Sequence, residues 1–226
     1  MRQIAIDTET TGLSTENNHR IIEIAGVELI NRRVTGKTFH YYINPQREVD
    51  LAAQEVHGFS WDQLKDKPEF AKIVNEFLNL IKDSELIIHN APFDDSFIEY
   101  ELRLTGITNY KIQNYCSNII DTLILARKKY AGKKNNLDAL CKRLKVKNDH
   151  RVFHGALLDS DLLAQVYLLM TSEQSNLFSK NITQKQQSIS INNKPNNTFL
   201  KVIRANNIEL TLHKQWLNKH NKDDNN

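Results

Sequence analysis

Asp7 and Glu9 stand one residue apart at the end of an alternating apolar run, Ile4-Ala5-Ile6. On a strand, residues i and i+2 share a face, so the two carboxylates project together beside Ala5, away from Ile4 and Ile6. Like charges held this close repel, and a hard divalent cation bound by carboxylate oxygens resolves the repulsion. A lone Asp-x-Glu is more often a solvated strand end, so its company decides. Asp94 follows a short apolar strand in the run His89-Asn90-Ala91-Pro92-Phe93-Asp94, and His154 precedes Asp159 by five residues across Gly155. Acids and a histidine gathered at one sheet edge suit phosphodiester hydrolysis assisted by two metal ions. The histidine, with a pKa near neutrality, would take the proton from the attacking water.

The elements that must position these groups are legible from periodicity. Strands are expected over Gln3–Thr8, Arg20–Ile30 and Lys37–Ile43, the last two joined by a hairpin over residues 31–36. Residues 45–67 read as loop and short helix. Phe70, Ile73, Val74, Phe77, Leu78 and Ile81 recur at helical spacing after Pro68 and predict an amphipathic helix. Leu86-Ile87-Ile88 is a buried strand, followed by a helix over Ser96–Leu104; another strand is expected within Tyr110–Asn118. Helices then follow over Asp121–Tyr130, Asn136–Leu144 and from Gly155 to about Met170, with Asp159 on the second turn of the last. A strand ending in a polar turn before a helix is where α/β folds place working residues.

The 226 residues, 40% hydrophobic, suffice for one domain with a core plus an appendage. No apolar run approaches the roughly 18 residues of a membrane span. No basic region precedes an apolar block at the N-terminus, and the two cysteines lack ligand spacing; a reduced cytoplasmic setting is expected. A net charge of +3 permits nucleic-acid binding without arguing for it. Residues 179–198 are rich in Asn, Gln, Lys and Ser and read as a flexible linker. The expected organisation is a catalytic domain over 1–172, a linker over 173–198 and a partner-binding segment over 199–226.

Taken as motifs, Asp7-Thr8-Glu9-Thr10-Thr11-Gly12, His89 to Asp94 and His154-Gly155-Ala156-Leu157-Leu158-Asp159 resemble the DEDD exonucleases of the histidine subtype. The resemblance covers roughly residues 3–170. It implies a ribonuclease-H-like α/β fold, a mixed five-stranded sheet flanked by helices, and 3′→5′ exonuclease activity releasing nucleoside 5′-monophosphates. It also implies two divalent cations, Mg²⁺ or Mn²⁺. Carried over by position, Asp7, Glu9, Asp94 and Asp159 are the metal carboxylates and His154 the general base. Motif spacing leaves Asp95 and Asp161 as decoys.

In similar enzymes the turn after the first motif holds the 3′-terminal nucleotide. Thr10, Thr11 and Gly12 would bind its hydroxyl beside Asp7, Glu9 and Asp159, and Leu13 would pack on the terminal bases, a contact indifferent to sequence. Asn90 and Phe93 suit the same pocket, though Phe93 suits the core equally. His57 by itself reads as structural; in its Val-His-Gly setting it resembles the residue that contacts the terminal phosphate. Ala52 stands where some relatives carry an acidic substrate contact, so that contact is not carried over. Asp121 is expected to be structural or supporting.

Two features beyond residue 172 point to partners. Gln174-Ser175-Asn176-Leu177-Phe178 resembles the peptide by which bacterial proteins dock on the replication sliding clamp, with Gln174, Leu177 and Phe178 as anchors; a frayed helix end is the equal alternative. Phe199 to Ile203, through Trp216 and Leu217, is similar to the tail by which proofreading exonucleases bind the catalytic (alpha) subunit of a bacterial replicative polymerase. Such a tether raises effective concentration at the primer end. Ile21-Ile22-Glu23-Ile24, the turn Asn31-Arg32-Arg33 and Leu137-Asp138-Ala139-Leu140-Cys141 share that likeness. The reading is a cytoplasmic proofreading exonuclease acting on single-stranded 3′ ends of DNA, with a small theta-like protein as a further partner. A stand-alone RNA-trimming exonuclease and a non-catalytic scaffold are the alternatives.

Overall fold

The computed structural model describes residues 1–148, 153–172 and 206–220. Five strands, β1 (Arg2–Thr10), β2 (Ile21–Ile30), β3 (Arg33–Tyr42), β4 (Glu85–Ile88) and β5 (Asn118–Asp121), form one sheet in the order β3-β2-β1-β4-β5. The first three pair antiparallel, while β4 runs parallel to both β1 and β5. The expected mixed five-stranded sheet is therefore present. Because β1, β4 and β5 point the same way, the residues that follow each of them emerge at one edge.

Helices α1 (Leu51–His57), α2 (Trp61–Leu64), α3 (Phe70–Ile81), α4 (Ala91–Leu104), α5 (Thr122–Lys129), α6 (Leu137–Leu144) and α7 (Ala156–Thr171) surround the sheet. The alternation of β1 divides the core into two layers. Ile4 and Ile6 join Phe70 and Phe77 of α3 and Phe97 and Ile98 of α4, whereas Ala5 joins Leu140 of α6 and Leu162, Leu163 and Val166 of α7. Phe70, Phe77 and Phe97 are among the largest fully buried side chains. Burial of each contributes about 1.5–3 kcal/mol, and truncating one to Ala costs about 3–5 kcal/mol. Ala5 is the small residue that lets α7 lie close over the acidic face of β1.

Several boundaries differ from the sequence expectation. The β2–β3 hairpin turns on Asn31 and Arg32 alone, both at positive φ (49° and 64°), the turn geometry whose twist matches that of paired strands. Helix α4 begins at Ala91 rather than Ser96, because Pro92 fits the first turn of a helix, where its missing N–H is no loss. The strand expected within 110–118 is instead a 3₁₀ turn over Ile112–Asn114, and pairing with β4 starts only at Asn118, where Ile119 and Ile120 sit opposite Leu86 and Ile87. Asp159 lies on the first turn of α7, not the second.

The chain divides into Met1–Ser175 and Asn176–Asn226. The expected clamp peptide (Gln174, Leu177, Phe178) and the stretch from Phe199 to Ile203 fall outside the described residues. Within the second unit, α8 (Asn207–His220) opens on a reciprocal cap: Asn206 Oδ1 accepts the Ile208 and Glu209 N–H groups, and Glu209 Oε2 accepts that of Asn206. Ile208, Leu210 and Leu212 are exposed on it. Among the described residues no helix is long and apolar enough to cross a membrane.

Candidate active site

The site is assembled where β1 ends. Its pairing with β2 slips between Glu9 and Thr10, a bulge of the kind that re-aims side chains, and Glu9 is the last residue in regular register, opposite Glu23. Ligand atoms of Glu9, His154 and Asp159 lie within 4.8 Å of one another. His154 Nδ1 is 3.3 Å from Asp159 Oδ2. Carboxylates with an imidazole at this spacing are a donor set that fits a divalent cation. Asp7 shares the strand face of Glu9 but lies outside that triplet, as does Asp94.

Gly155 occupies the N-cap of α7, leaving His154 just ahead of the helix and Asp159 in its first turn. Buried Glu23 fixes this end: its Oε2 accepts the Ala156 N–H (3.0 Å) and its Oε1 lies 2.7 Å from His40 Nε2. Ser160 Oγ donates to the Ala25 carbonyl (3.1 Å), pinning the same turn to β2. The His154 N–H donates to Val56 O (3.1 Å), coupling the histidine to α1 and thus to His57.

Asp94 stands in the first turn of α4, buried, and accepts a hydrogen bond from Thr8 Oγ1 at 2.7 Å. Thr8 faces away from Asp7 and Glu9 by strand alternation. Burial pushes the Asp94 carboxyl up to about 7, with neighbouring Asp95 adding to the shift and the Thr8 hydroxyl opposing it. Asp95, half-buried, is pushed up to about 6 by burial first and by Glu99 and Asp121 next. Burial and neighbouring acids thus disfavour the ionised form of both groups, a perturbation that marks a candidate functional site.

A cavity of about 540 Å³ opens beside this cluster, lined by Thr10, Gly12, Leu13, His57 and Phe93 among others, with Glu9 at its wall. Leu13 is 87% exposed and free to meet a base. Phe93 serves both alternatives, packing against Phe97 in a tilted ring contact (5.0 Å) and facing the cavity. Burial holds the pKa of His57 below its ordinary value, and its Nδ1 accepts the Phe59 N–H (3.1 Å). The proton therefore sits on Nε2, a buried donor that makes no hydrogen bond of good geometry among the described residues, with the Thr10 backbone near enough to offset part of the burial effect. Such a donor suits a phosphate oxygen.

Asn90 does not line this cavity; it lines a separate groove on the far side of β4. Its backbone is left-handed (φ 69°), a conformation asparagine tolerates, and its N–H donates to Asp121 Oδ1. The same Asp121 oxygen accepts the Leu123 and Ile124 N–H groups and so caps α5.

Sequence reasoning passed over Glu23, His19 and Asp50. A charged residue inside the run Ile21-Ile22-Glu23-Ile24 was the available signal for the first. His19 Nδ1 meets Thr11 Oγ1 (3.0 Å), its Nε2 lies 3.4 Å from Asp50 Oδ2, and its ring rests on Gly12, where an added Cβ would come within 2.3 Å of it. That contact, rather than a turn requirement, is why residue 12 carries no side chain.

The chain matches the exonuclease family described as RNase T over residues 4–167. It is 52% identical to the DNA polymerase III subunit epsilon of Buchnera aphidicola (from Schizaphis graminum) over 96% of this chain and 95% of that one. Identity to the subunit of the same name is 46% for Rickettsia felis (96% of both chains) and 45% for Haemophilus influenzae (98% and 91%). The chain belongs to the DNA polymerase III epsilon family. Solved structures share its fold: exonuclease X in complex with 5′ overhanging duplex DNA (24% identity, TM-score 0.57, covering 75% of this chain and 92% of that one), and a zinc-bound E. coli exonuclease I complex with single-stranded DNA (17%, TM-score 0.64, 76% and 41%). Members of the epsilon family are polymerase components with an exonuclease domain, and divalent-metal dependence fits that domain.

Proposed function

We propose that the chain is the proofreading subunit of a bacterial replicative polymerase, removing 3′-terminal nucleotides from DNA as nucleoside 5′-monophosphates. The observation that carries the chemistry is the approach of Glu9, His154 and Asp159 at the bulged end of β1. Asp7, Glu9, Asp94 and Asp159 would hold two divalent cations, Mg²⁺ or Mn²⁺. Bound there, the cations supply the Lewis acidity that phosphodiester hydrolysis needs. Every other task falls to the chain's own groups.

With Nδ1 of His154 beside Asp159, its Nε2 is the atom that takes the proton from the attacking water. Thr10 and Gly12, which line the cavity, hold the terminal sugar, Leu13 and Phe93 flank the base, and the His57 Nε2–H donates to the terminal phosphate; Thr11, expected beside them, is fully buried with its backbone bonded to Arg20 and Asp50 and its hydroxyl to His19, so it shapes the turn and does not touch the sugar. These contacts leave the base edge unread, so any mispaired end can enter. The segment 199–226 docks on the polymerase alpha subunit, for which the exposed Ile208, Leu210 and Leu212 of α8 are suited. Gln174, Leu177 and Phe178 engage the sliding clamp, and a small theta-like protein is a further partner. The working compartment is the cytoplasm.

The test is release of 3′-terminal nucleotides from a primer–template with a mismatched end in Mg²⁺, run beside RNA of equal length. Turnover is expected to be faster at the mismatch, and His154→Ala is expected to lower it about 10²–10⁴-fold, with Asp7→Ala lower still. Preference for RNA would overturn the substrate, and absence of turnover on both would overturn the site.

A further inference from the structure

The groove lined by Asn90 has no part in the chemistry above, yet it opens at the same sheet edge. It measures about 740 Å³ and is lined by His89, Asn90, Arg127, Lys133, Asn135 and Asn136. One wall is the second-motif loop after β4; the other is the loop between α5 and α6. Arg127, Lys133 and the adjacent Lys134 are exposed, and among the described residues none is paired with a carboxylate. Asp121, the acid beside the groove, already receives the Asn90, Leu123 and Ile124 N–H groups at the N-terminus of α5, which offset its charge. His89 is held near Thr122 Oγ1 (2.9 Å), and burial keeps its pKa below the ordinary value, so it adds polarity rather than charge.

Arg127 stands on α5, and the loop carrying Lys133 and Lys134 is tied down by side-chain contacts. Arg143 lies over the Tyr130 ring (4.7 Å) and donates to Asn135 Oδ1 (3.0 Å) and to the Lys134 carbonyl (2.7 Å). Asn135 is itself buried and its Nδ2 donates back to the Tyr130 carbonyl. Gly132 takes the left-handed conformation (φ 72°) that turns the loop, and an added Cβ would meet nothing, so conformation and not space selects glycine. One basic residue is thus spent on architecture, while its neighbours are held out over a polar trough of amides. Cations spaced along an ordered groove, with amide donors between them, match a run of phosphates.

We infer that this groove carries the sugar–phosphate backbone of the substrate strand upstream of the scissile bond. The inference rests on the exonuclease reading and extends it: the terminal nucleotide occupies the cavity near Leu13 and His57, and the strand leaves past Asn90 between α5 and α6. Recognition is electrostatic, so it is indifferent to base sequence. It grows with strand length until the groove is filled.

Binding of 5′-labelled oligodeoxynucleotides to the full chain, followed by fluorescence anisotropy with Ca²⁺ or EDTA to prevent turnover, tests this. Arg127→Ala combined with Lys133→Ala is expected to weaken binding of a strand of about ten nucleotides roughly tenfold at moderate salt. The plot of log affinity against log salt should become shallower by about 1.4, or about 0.7 for each lost contact on a single strand. A dinucleotide should lose much less. Lys133→Glu should enlarge the effect, and unchanged thermal melts show that the loop still folds. Equal losses for the dinucleotide and the longer strand, or an unchanged salt slope, would overturn the groove assignment. Because binding is read without turnover, these results stand apart from failure of the exonuclease reading, which absence of nucleotide release by the wild-type chain would reveal.

Discussion

Asp94 and Glu101 lie two turns apart on the same face of α4, both almost wholly buried (3% and 1% exposed). Their surroundings are opposite. Glu101 accepts both forks of Arg20, at 2.8 and 2.7 Å, and the Ile21 N–H at 3.1 Å, so its charge is matched inside the protein. Asp94 is met by the Thr8 hydroxyl, with no Arg or Lys paired to it among the described residues, and its carboxyl is pushed up to about 7. An acid buried with a cation of the protein's own is structure. An acid buried without one keeps its proton to higher pH, the property expected of the cation ligand proposed at Asp94, and the chain keeps the two kinds on one helix.

The contrast between the two acids depends first on Arg20. Arg20→Ala strands the Glu101 charge in the core and is expected to destabilise the fold by about 3–5 kcal/mol, the lower end applying because Arg20 is partly open to water. The melting temperature should fall by roughly ten degrees in a calorimetric scan without metal. A fall of only a degree or two would mean that the two acids are equivalent after all.

Glu23 is a third buried acid, matched like Glu101 but in contact with the site. Removing its acceptor from the Ala156 N–H and from His40 should cost about 2 kcal/mol in Glu23→Ala. The looser first turn of α7 should also weaken Mn²⁺ binding about tenfold in a calorimetric titration. Glu23→Gln, which keeps an oxygen for Ala156, should recover most of both. Equal cation affinity in all three proteins would confine Glu23 to stability.

A third test is the pH dependence of the cation-free protein. The unfolded chain ionises Asp94 near its ordinary value of 3.8, while the folded chain holds the proton to about 7. The folded state therefore binds more protons across this window, and stability should fall between pH 4 and 7, then level off. Asp95, raised to about 6, acts in the same direction. Asp94→Asn should lessen the fall and melt a few degrees above wild type at pH 8, while Mg²⁺ should stabilise wild type more than the variant. A wild-type protein equally stable at pH 4 and pH 7 would contradict the burial argument.

Much of this was legible in the chain itself. Alternation in Ile4-Ala5-Ile6-Asp7-Thr8-Glu9 dictated that Ala5 and the acids share a face, because a pleated strand leaves no other choice. The helical spacing of Phe70 to Ile81 determined α3, the motif order determined the exonuclease family, and the likeness of residues 21–24, 31–33, 137–141 and the C-terminal segment pointed to the polymerase. These are local or statistical properties, carried by residue type and separation alone.

The tertiary structure decided what distant elements do to one another. Only packing could show that Glu23, 133 positions from Ala156, caps the helix that carries Asp159, or that the His19 ring occupies the space a side chain at position 12 would need. Only packing separated Asn90 from the cavity of Leu13 and His57 and gave it a groove shared with Arg127 and Lys133. It also made Asp94 and Glu101 different, since both are acids on one amphipathic helix until Arg20 arrives from another part of the chain. Charge is written in the sequence, but the desolvation and pairing that give a buried charge its consequence depend on what the fold brings within a few ångströms of it.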